Sequence, residues 1–263
     1  MSGAVLAPYI WIVFRDKDIL LKTGGKYAYS LPEGENPPVQ PEISEHIHAH
    51  CLPDGTSVKA FSVSKNVVAP PDMCFISLRT SFEFLPRTLY ETAGKMEELI
   101  YWDKRNNFCG VCGAPMKYDT DISKQCTCCG HIVWPQLQTA IIVLVKRGDE
   151  ILMVQSKCFR ADYMGLVAGF VETGETLEGC VKREVMEETG INIKNIRYFC
   201  SQAWPYPCGL MVGFVADYSD GDLKIQYSEL NKGGWFNRND MPAIPGKVSL
   251  ARRLIDAWFS GEI

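Results

Sequence analysis

The sequence predicts an α/β protein in three parts. These are a small α+β N-terminal domain over residues 1–105, a cysteine ribbon over 106–135 and a larger α/β domain over 136–263. Three observations lead there. Two Cys-x2-Cys knuckles interrupt the chain near its middle. Two β-branched apolar runs, 139–146 and 150–155, flank a Gly148-Asp149 turn. An amphipathic stretch over 176–189 follows Gly-rich loops and stops at Gly190.

Each element has a local reason. Residues 4–14 and 61–68 are apolar and β-branched and read as strands. The Pro/Gly/Glu-rich stretch 31–41 reads as an exposed loop. Residues 88–105 carry Leu89, Ala93, Met96 and Leu99/Ile100 at helical spacing. The runs around the Gly148-Asp149 turn form a β-hairpin. Further strands are expected near 197–200, 210–217 and 234–237, and a last helix at about 248–259. His46, His48 and His50 alternate, which on a strand puts them on one face where they could bind metal; the expectation is an exposed polar strand or loop. His131 follows a complete set of cysteines and reads as surface.

Composition narrows the class of function. The chain is 46% apolar and 22% charged, which excludes disordered, collagenous and coiled-coil classes. The stretch 4–14 is interrupted by Pro8 and is far shorter than the roughly 18–20 residues that span a bilayer. It lacks a basic lead and a small-residue cleavage site, so no secretory signal and no membrane partner is expected. A net charge of −4 argues against holding nucleic acid by bulk charge. Eleven cysteines, an odd number, fit metal-bound thiolates in a reducing cytoplasm better than a closed set of disulfides.

Cys109, Cys112, Cys126 and Cys129 form two knuckles separated by 13 residues. Four thiolates at this spacing suit one tetrahedral structural Zn²⁺ per chain, with no open position for water. Cys128 is an alternative ligand in the second knuckle; the x2 spacing and the glycine after Cys129 favour Cys126 with Cys129. Cys51, Cys74, Cys158, Cys180, Cys200 and Cys208 have no paired spacing and read as core or incidental thiols.

On the helix over 176–189, Glu184, Glu187 and Glu188 sit at i, i+3 and i+4 and share a face. Three like charges there lose stability unless a cation joins them, and clustered carboxylates with substrate phosphate suit Mg²⁺ or Mn²⁺. Leu177, Val181, Val185 and Met186 supply the apolar anchor. The whole string resembles the Nudix box, G-x5-E-x7-R-E-U-x-E-E-x-G-U with U a bulky aliphatic residue. Gly169, Glu175, Arg183, Glu184, Val185, Glu187, Glu188, Gly190 and Ile191 match every defined position. The resemblance implies an α/β/α sandwich with a mixed sheet that hydrolyses a nucleoside diphosphate linked to another group. It further implies that Glu184, Glu187 and Glu188 are catalytic and bind several divalent metals. The Ala168 carbonyl would complete the metal shell, and a Glu175–Arg183 pair would brace the turn into the helix.

Beyond the box lies S-Q-A-W-P-Y-P, starting at Ser201, a proline-stiffened segment whose Trp204 and Tyr206 offer flat faces for stacking. It is similar to the S-Q-P-W-P-F-P signature of the NADH pyrophosphatase subfamily. That subfamily also has a four-cysteine ribbon before its Nudix domain and a further N-terminal domain. The resemblance covers the chain closely from about residue 79 and residues 1–78 only loosely. It implies that Gln202, Ala203, Trp204, Pro205, Tyr206, Pro207, Cys208 and Gly209 line the substrate as a loop. Glu229 is implied as a further metal ligand, and Ala251, Trp134, Asp121 and Arg79 as substrate contacts. Ala203 stands for a proline, Tyr206 for phenylalanine and Cys208-Gly209 for a polar pair that usually includes serine. These departures bear on affinity and on the preference between NADH and NAD⁺.

The implied reaction is metal-dependent hydrolysis of the NAD(H) diphosphate to AMP and nicotinamide mononucleotide, with Glu187 orienting or deprotonating the water. The NAD cap of an RNA 5′ end presents the same diphosphate; Arg252-Arg253 and Lys104-Arg105 are candidates for a basic path, though solvation is their ordinary role. The alternatives are the same chemistry on ADP-ribose or diadenosine polyphosphates and, in another class, a zinc-ribbon module that only senses a nucleotide. Sensors of that kind usually lack box glutamates, and this chain keeps all of them. The resemblance also implies a homodimer.

Overall fold

Residues 138–147 alternate two apolar faces, and that alternation organises the C-terminal half. In a computed structural model, which describes residues 8–24, 28–42, 45–158 and 162–263, the described residues fall into two compact units. One comprises Met1–Gln136 with Pro205–Cys208, the other Leu137–Trp204 with Gly209–Ile263.

The first unit begins with seven strands: β1 (Tyr9–Arg15), β2 (Asp18–Thr23), β3 (Tyr29–Ser30), β4 (Glu33–Gly34), β5 (His48–Cys51), β6 (Ser57–Val63) and β7 (Met73–Ser77). They form one sheet in the order β3-β2-β1-β6-β5, with β4 on β1 and β7 on β2. The β1–β6 pairing is parallel and the rest are antiparallel. Trp11, Val13, Leu20, Phe61 and Val63 form a core on the sheet. A single turn, α1 (Leu78–Ser81), leads to the 19-residue α2 (Arg87–Arg105). The buried stripe of α2 runs through Tyr90, Ala93, Met96, Leu99, Ile100 and Trp102, so it starts at Tyr90 rather than at Leu89. The ribbon follows as β8 (Met116–Thr120), β9 (Ser123–Cys126) and β10 (Ile132–Val133), an antiparallel sheet.

Three local expectations are corrected here. The strand expected over 61–68 is β6, which ends at Val63, because a turn follows in which Val67 N–H donates to Ser64 O. Within 31–41, Leu31 is buried, Pro32 O accepts the Trp11 N–H, and Glu33–Gly34 adds a short strand. His48 is buried, with Nε2 3.6 Å from Asp103 Oδ2; His46 is exposed and stacks on Tyr118, and His50 Nδ1 lies 3.3 Å from Lys95 Nζ. Residues 4–7 of the expected first strand lie outside the described residues.

Asp103 draws these pieces together. Lys124, whose side chain is only 4% exposed, pairs with the Asp103 carboxylate and donates to Asp103 O at 2.9 Å and Asn106 O at 3.2 Å. A cation from β9 thus caps the negative end of α2. Burial pushes the Asp103 carboxyl up, but the polar groups of His48, Lys124 and Tyr118 around it outweigh burial and hold the group well below the usual carboxylate range.

The second unit comprises β11 (Gln138–Arg147), β12 (Glu150–Ser156), β13 (Val167–Phe170), α3 (Leu177–Thr189), β14 (Asn192–Trp204), β15 (Gly209–Asp220), β16 (Leu230–Asn237) and α4 (Leu250–Ser260). Its sheet runs β14-β15-β11-β12-β16, with β13 on β11; β11–β15 is parallel and the other pairs are antiparallel. On β11, Ile141, Val143 and Val145 face the core beneath α3, with Val181 and Val185. Ile142 and Leu144 face the core beneath α4, with Leu254, Ile255 and Trp258. The period of two in a strand therefore builds the expected α/β/α sandwich with a mixed sheet.

The expected hairpin and both helices are present. Thr176 Oγ1 caps α3 by accepting from Gly179 N, Gly190 ends it at φ 70°, and Ser249 caps α4. Strands β14, β15 and β16 extend beyond the expected 197–200, 210–217 and 234–237. Exposed polar residues alternate along β14, so its ends lack a continuous apolar run. The Gly-rich approach to α3 is itself partly a strand, β13. Met186 is exposed, so Cys180 rather than Met186 completes the apolar face of α3.

Replacing Lys124 by Met should leave the Asp103 charge buried without its cation. A loss of about 3–5 kcal/mol in urea-denaturation stability is expected, and near-wild-type stability would show that the pair does not hold the ribbon to α2.

Candidate active site

Strand β13 passes so close to α3 that a side chain at Gly169 has no room. A Cβ built there would overlap the Glu184 carboxylate. The glycine thus lets the carboxylate sit against the strand backbone. Ala168 precedes it, exposed and opposite Ile142.

Arg183 holds the surrounding acids. Its Nε donates to Glu175 Oε1 at 2.6 Å and Nη2 to Glu175 Oε2 at 2.9 Å, a bidentate pair. Nη1 donates to Glu184 Oε1 at 2.8 Å and Glu187 Oε2 at 3.1 Å, and Nη2 to Phe170 O at 3.0 Å. Glu175 also accepts the Glu172 N–H, and with Arg183 acting first its carboxyl falls to about 2. The same partner raises the Arg183 guanidinium further above its ordinary value.

The three helix glutamates are not equivalent. Glu187 is exposed, Glu184 is partly buried and Glu188 is only 6% exposed. Successive residues turn by roughly 100°, so the three carboxylates fan from solvent into the sandwich. Burial raises Glu184, and burial together with Glu184, Glu229 and Glu187 raises Glu188 to about 8. Glu188 Oε2 is buried with no hydrogen-bond donor. Glu229 is exposed in the turn before β16, and its carbonyl accepts the Lys157 N–H. An unmatched buried carboxylate beside three further acids fits a divalent cation with oxygen ligands.

The cysteines fit zinc. The Sγ atoms of Cys109, Cys112, Cys126 and Cys129 all lie within 4.8 Å of one another, with Cys109–Cys129 at 3.7 Å and Cys112–Cys126 at 3.4 Å. A tetrahedron with metal–sulfur bonds of ~2.3 Å has edges of about 3.8 Å. Cys128 is outside this group; its N–H donates to Cys126 Sγ at 3.4 Å and its thiol is exposed. The N–H groups of Cys129 and Cys128 bring the Cys126 thiol down to about 6. His131 is exposed, as expected.

The segment 202–209 is a hairpin end rather than a free loop. Gln202, Ala203 and Trp204 belong to β14, Gly209 opens β15 opposite Trp204, and Pro205, Tyr206, Pro207 and Cys208 make the turn, with a cis Tyr206–Pro207 bond. Gln202 Nε2 donates to Val248 O at 2.7 Å. Arg79, Asp121, Trp134 and the turn belong to the first unit, and Gln202, Ala203, Trp204, Gly209 and Ala251 to the second. Arg79 lies on α1, Asp121 is exposed between β8 and β9, Trp134 is 55% exposed, and Ala251 is buried in the α4 core.

Two features escape a reading of the sequence. Phe170, 62% exposed at the end of β13, borders a depression of about 480 Å³ with Leu137, Gln138, Thr139 and Val171. An aromatic next to the box glycine and left outside the core is its only signal. Tyr90 on α2 meets Tyr206, which no spacing rule reveals.

Comparison with known proteins agrees with this architecture. Residues 135–258 match the NUDIX domain, and residues 8–102 match the NADH pyrophosphatase-like rudimentary NUDIX domain. A Chromobacterium violaceum protein named NAD-capped RNA hydrolase NudC is 38% identical over 182 residues, 69% of each chain. Proteins of the same name from Pectobacterium atrosepticum and Deinococcus radiodurans are 44% identical over 64% of this chain and 65% of theirs, and 38% identical over 72% and 69%. A NUDIX hydrolase structure from Nitrosomonas europaea superposes with a TM-score of 0.50 at 22% identity, covering 59% of this chain and 92% of that one, and supports the fold. The chain belongs to the Nudix hydrolase family, in its NADH pyrophosphatase-like branch.

The Glu188 carboxyl has a folded-state value near 8 against an unfolded value near 4.5. Its protonated form is therefore favoured by folding, and metal-free stability should fall as pH rises from about 4.5 to 8. Added Mg²⁺ or Mn²⁺ should raise the melting temperature more at pH 8 than at pH 5. Scanning calorimetry of wild type and Glu188→Gln checks this: the Gln variant should lose the pH-dependent part, and an unchanged pH profile would remove Glu188 as its source.

Proposed function

We propose that this protein hydrolyses the diphosphate of NAD(H), giving AMP and nicotinamide mononucleotide, and that it acts on the same linkage in NAD-capped RNA. The buried Glu188 carboxyl, unmatched at Oε2 beside Glu184, Glu187 and Glu229, carries the reading, because a cation-bound diphosphate site gives it a partner. The NADH pyrophosphatase-like match and the names of the relatives support the choice of substrate.

In this reading Ala168 O, Glu184, Glu187, Glu188 and Glu229 would hold Mg²⁺ or Mn²⁺, which neutralises the diphosphate and lowers the pKa of bound water. Water adds to one phosphorus, the bridging P–O bond breaks, and the departing nucleotide leaves as a phosphate monoester. Glu187, exposed and held on one oxygen by Arg183, orients or deprotonates that water. Gly169, Glu175, Arg183 and Gly190 fix the helix that presents it. Gln202, Ala203, Trp204, Pro205, Tyr206, Pro207, Cys208, Gly209, Trp134, Ala251, Asp121 and Arg79 contact the substrate.

Cys109, Cys112, Cys126 and Cys129 would hold one structural Zn²⁺ per chain, in a chain organised as residues 1–105, 106–135 and 136–263. The working form is a homodimer in the cytoplasm. Among the described residues no helix is long and apolar enough to cross a membrane. Lys104 faces Glu45 and Arg252 binds Asp256, so two of the four charges proposed for an RNA path are already paired.

Product analysis tests the reading. NADH, NAD⁺, ADP-ribose and diadenosine tetraphosphate are each incubated with Mg²⁺ or Mn²⁺ and the products resolved chromatographically. AMP plus reduced nicotinamide mononucleotide, formed fastest from NADH, is expected; faster ADP-ribose or diadenosine turnover would replace the substrate assignment. Glu187→Gln should lower kcat by roughly 10²–10⁴-fold with an unchanged melting temperature, and wild-type kcat in that variant would remove Glu187 from this role. Metal analysis should find one zinc per wild-type chain and a loss of zinc in Cys126→Ser.

A further inference from the structure

We infer that α2 carries a built seat for the Pro205–Cys208 turn, and that Tyr90 is a positioning residue that fixes the turn through the Tyr206 hydroxyl. The inference deepens the proposed reaction and rests on it for the role of the turn in substrate binding.

Three observations meet at this place. Tyr90 OH and Tyr206 OH lie 2.6 Å apart across 116 residues of sequence. Tyr90 is 7% exposed, and Phe82 packs edge-on against its ring at 5.2 Å between centroids. Its phenol therefore has a fixed direction. One helical turn on, at Gly94, α2 has no side chain. A Cβ there would meet Pro205 at Cγ 2.9 Å, Cβ 3.5 Å and Cδ 3.8 Å. Pro205 is buried, so its ring fills the notch that the missing side chain leaves.

A glycine in the middle of a 19-residue helix weakens that helix relative to alanine. Its place beneath Pro205 explains why one stands there. Tyr90 and Gly94 are i and i+4, so they lie on one face of α2 and grip two consecutive residues, Pro205 and Tyr206. The turn belongs to the compact unit that contains α2, not to the unit of the two strands it joins. Burial, acting first, raises both phenols above their ordinary value, so the pair stays neutral and bonded at physiological pH.

The subsidiary consequence concerns Tyr206. Its hydroxyl is the group by which this chain differs from the phenylalanine of the resembling signature. The geometry gives that hydroxyl to Tyr90.

The test combines amide exchange with kinetics in the full-length, metal-loaded protein, using Tyr90→Phe, Tyr206→Phe, the double variant and Gly94→Ala. Prolines have no N–H, so the reporters are the amides of Tyr206, Cys208 and Gly209. Both Phe variants should exchange these amides severalfold faster. With NADH each should raise KM about 2–10-fold while kcat stays within twofold. The double variant should match either single one, because the same bond is lost in all three. Gly94→Ala should show the larger change in exchange. Unchanged exchange in both Phe variants overturns the seat. KM effects that multiply in the double variant overturn the assignment of the Tyr206 hydroxyl to Tyr90. A wild type inert toward NADH would sink the proposed substrate, and the exchange data would still decide the seat.

Discussion

One guanidinium governs the geometry of the candidate site. Arg183 donates to the loop through Glu175, to the end of β13 through Phe170 O, and to its own helix through Glu184 and Glu187. Without it, the helix would present a fan of acids with nothing to hold them apart or point them. The planar fork matters as much as the charge, since a lysine supplies a point charge and loses the bidentate grip on Glu175. The loop, the strand end and the middle of α3 are consequently tied into one piece. Glu188, which lies outside the reach of these Arg183 bonds, is the carboxylate left with an unmatched oxygen. The clamp therefore also decides which acid is left without a donor.

The sandwich serves that arrangement. Strand β11 sends alternate residues to two separate cores, so α3 and α4 are anchored independently on opposite faces. Strand β13 pairs with β11 at Ala140, Ile141, Ile142 and Val143, which fixes the height at which Gly169 meets Glu184. A one-residue slip in that pairing would turn Gly169 away from α3 and bring a side chain into the space Glu184 occupies.

The sequence made legible whatever depends on local period or on spacing. The β11–β12 hairpin, the helices α2 and α3 and the cysteine knuckles fall where apolar alternation, capping residues and Cys-x2-Cys predict. Sequence and structure part where a distant partner decides. His48 reads as polar and exposed until Asp103 and Tyr118 surround it. Residues 202–209 read as a loop because the two prolines hide a strand pairing, Trp204 with Gly209, that spans only the turn. Leu31 and Pro32 lie in a stretch of loop composition, yet the Trp11 N–H draws them into the first unit. The helix glutamates are readable as a set, but their order of burial is not, because it depends on how α3 is rotated against the sheet.

That order of burial has a thermodynamic cost, and the fold retains it. Val181 and Val185 fix the rotation of α3 by packing beneath it, and Glu188 follows Val185 by three positions, so the same rotation that fills the core carries Glu188 inward. Moving Glu188 to the surface would relieve its desolvation but would require the helix to turn its apolar stripe out of the sandwich. Core packing outweighs that relief, each valine contributing about 1.5–3 kcal/mol on burial, so the carboxylate stays where it is disfavoured. A buried acid with a raised pKa is then a consequence of good packing elsewhere. Its relief comes from whatever positive charge can reach it, which is why the same residue reads as a weakness of the bare fold and as the strongest feature of the site.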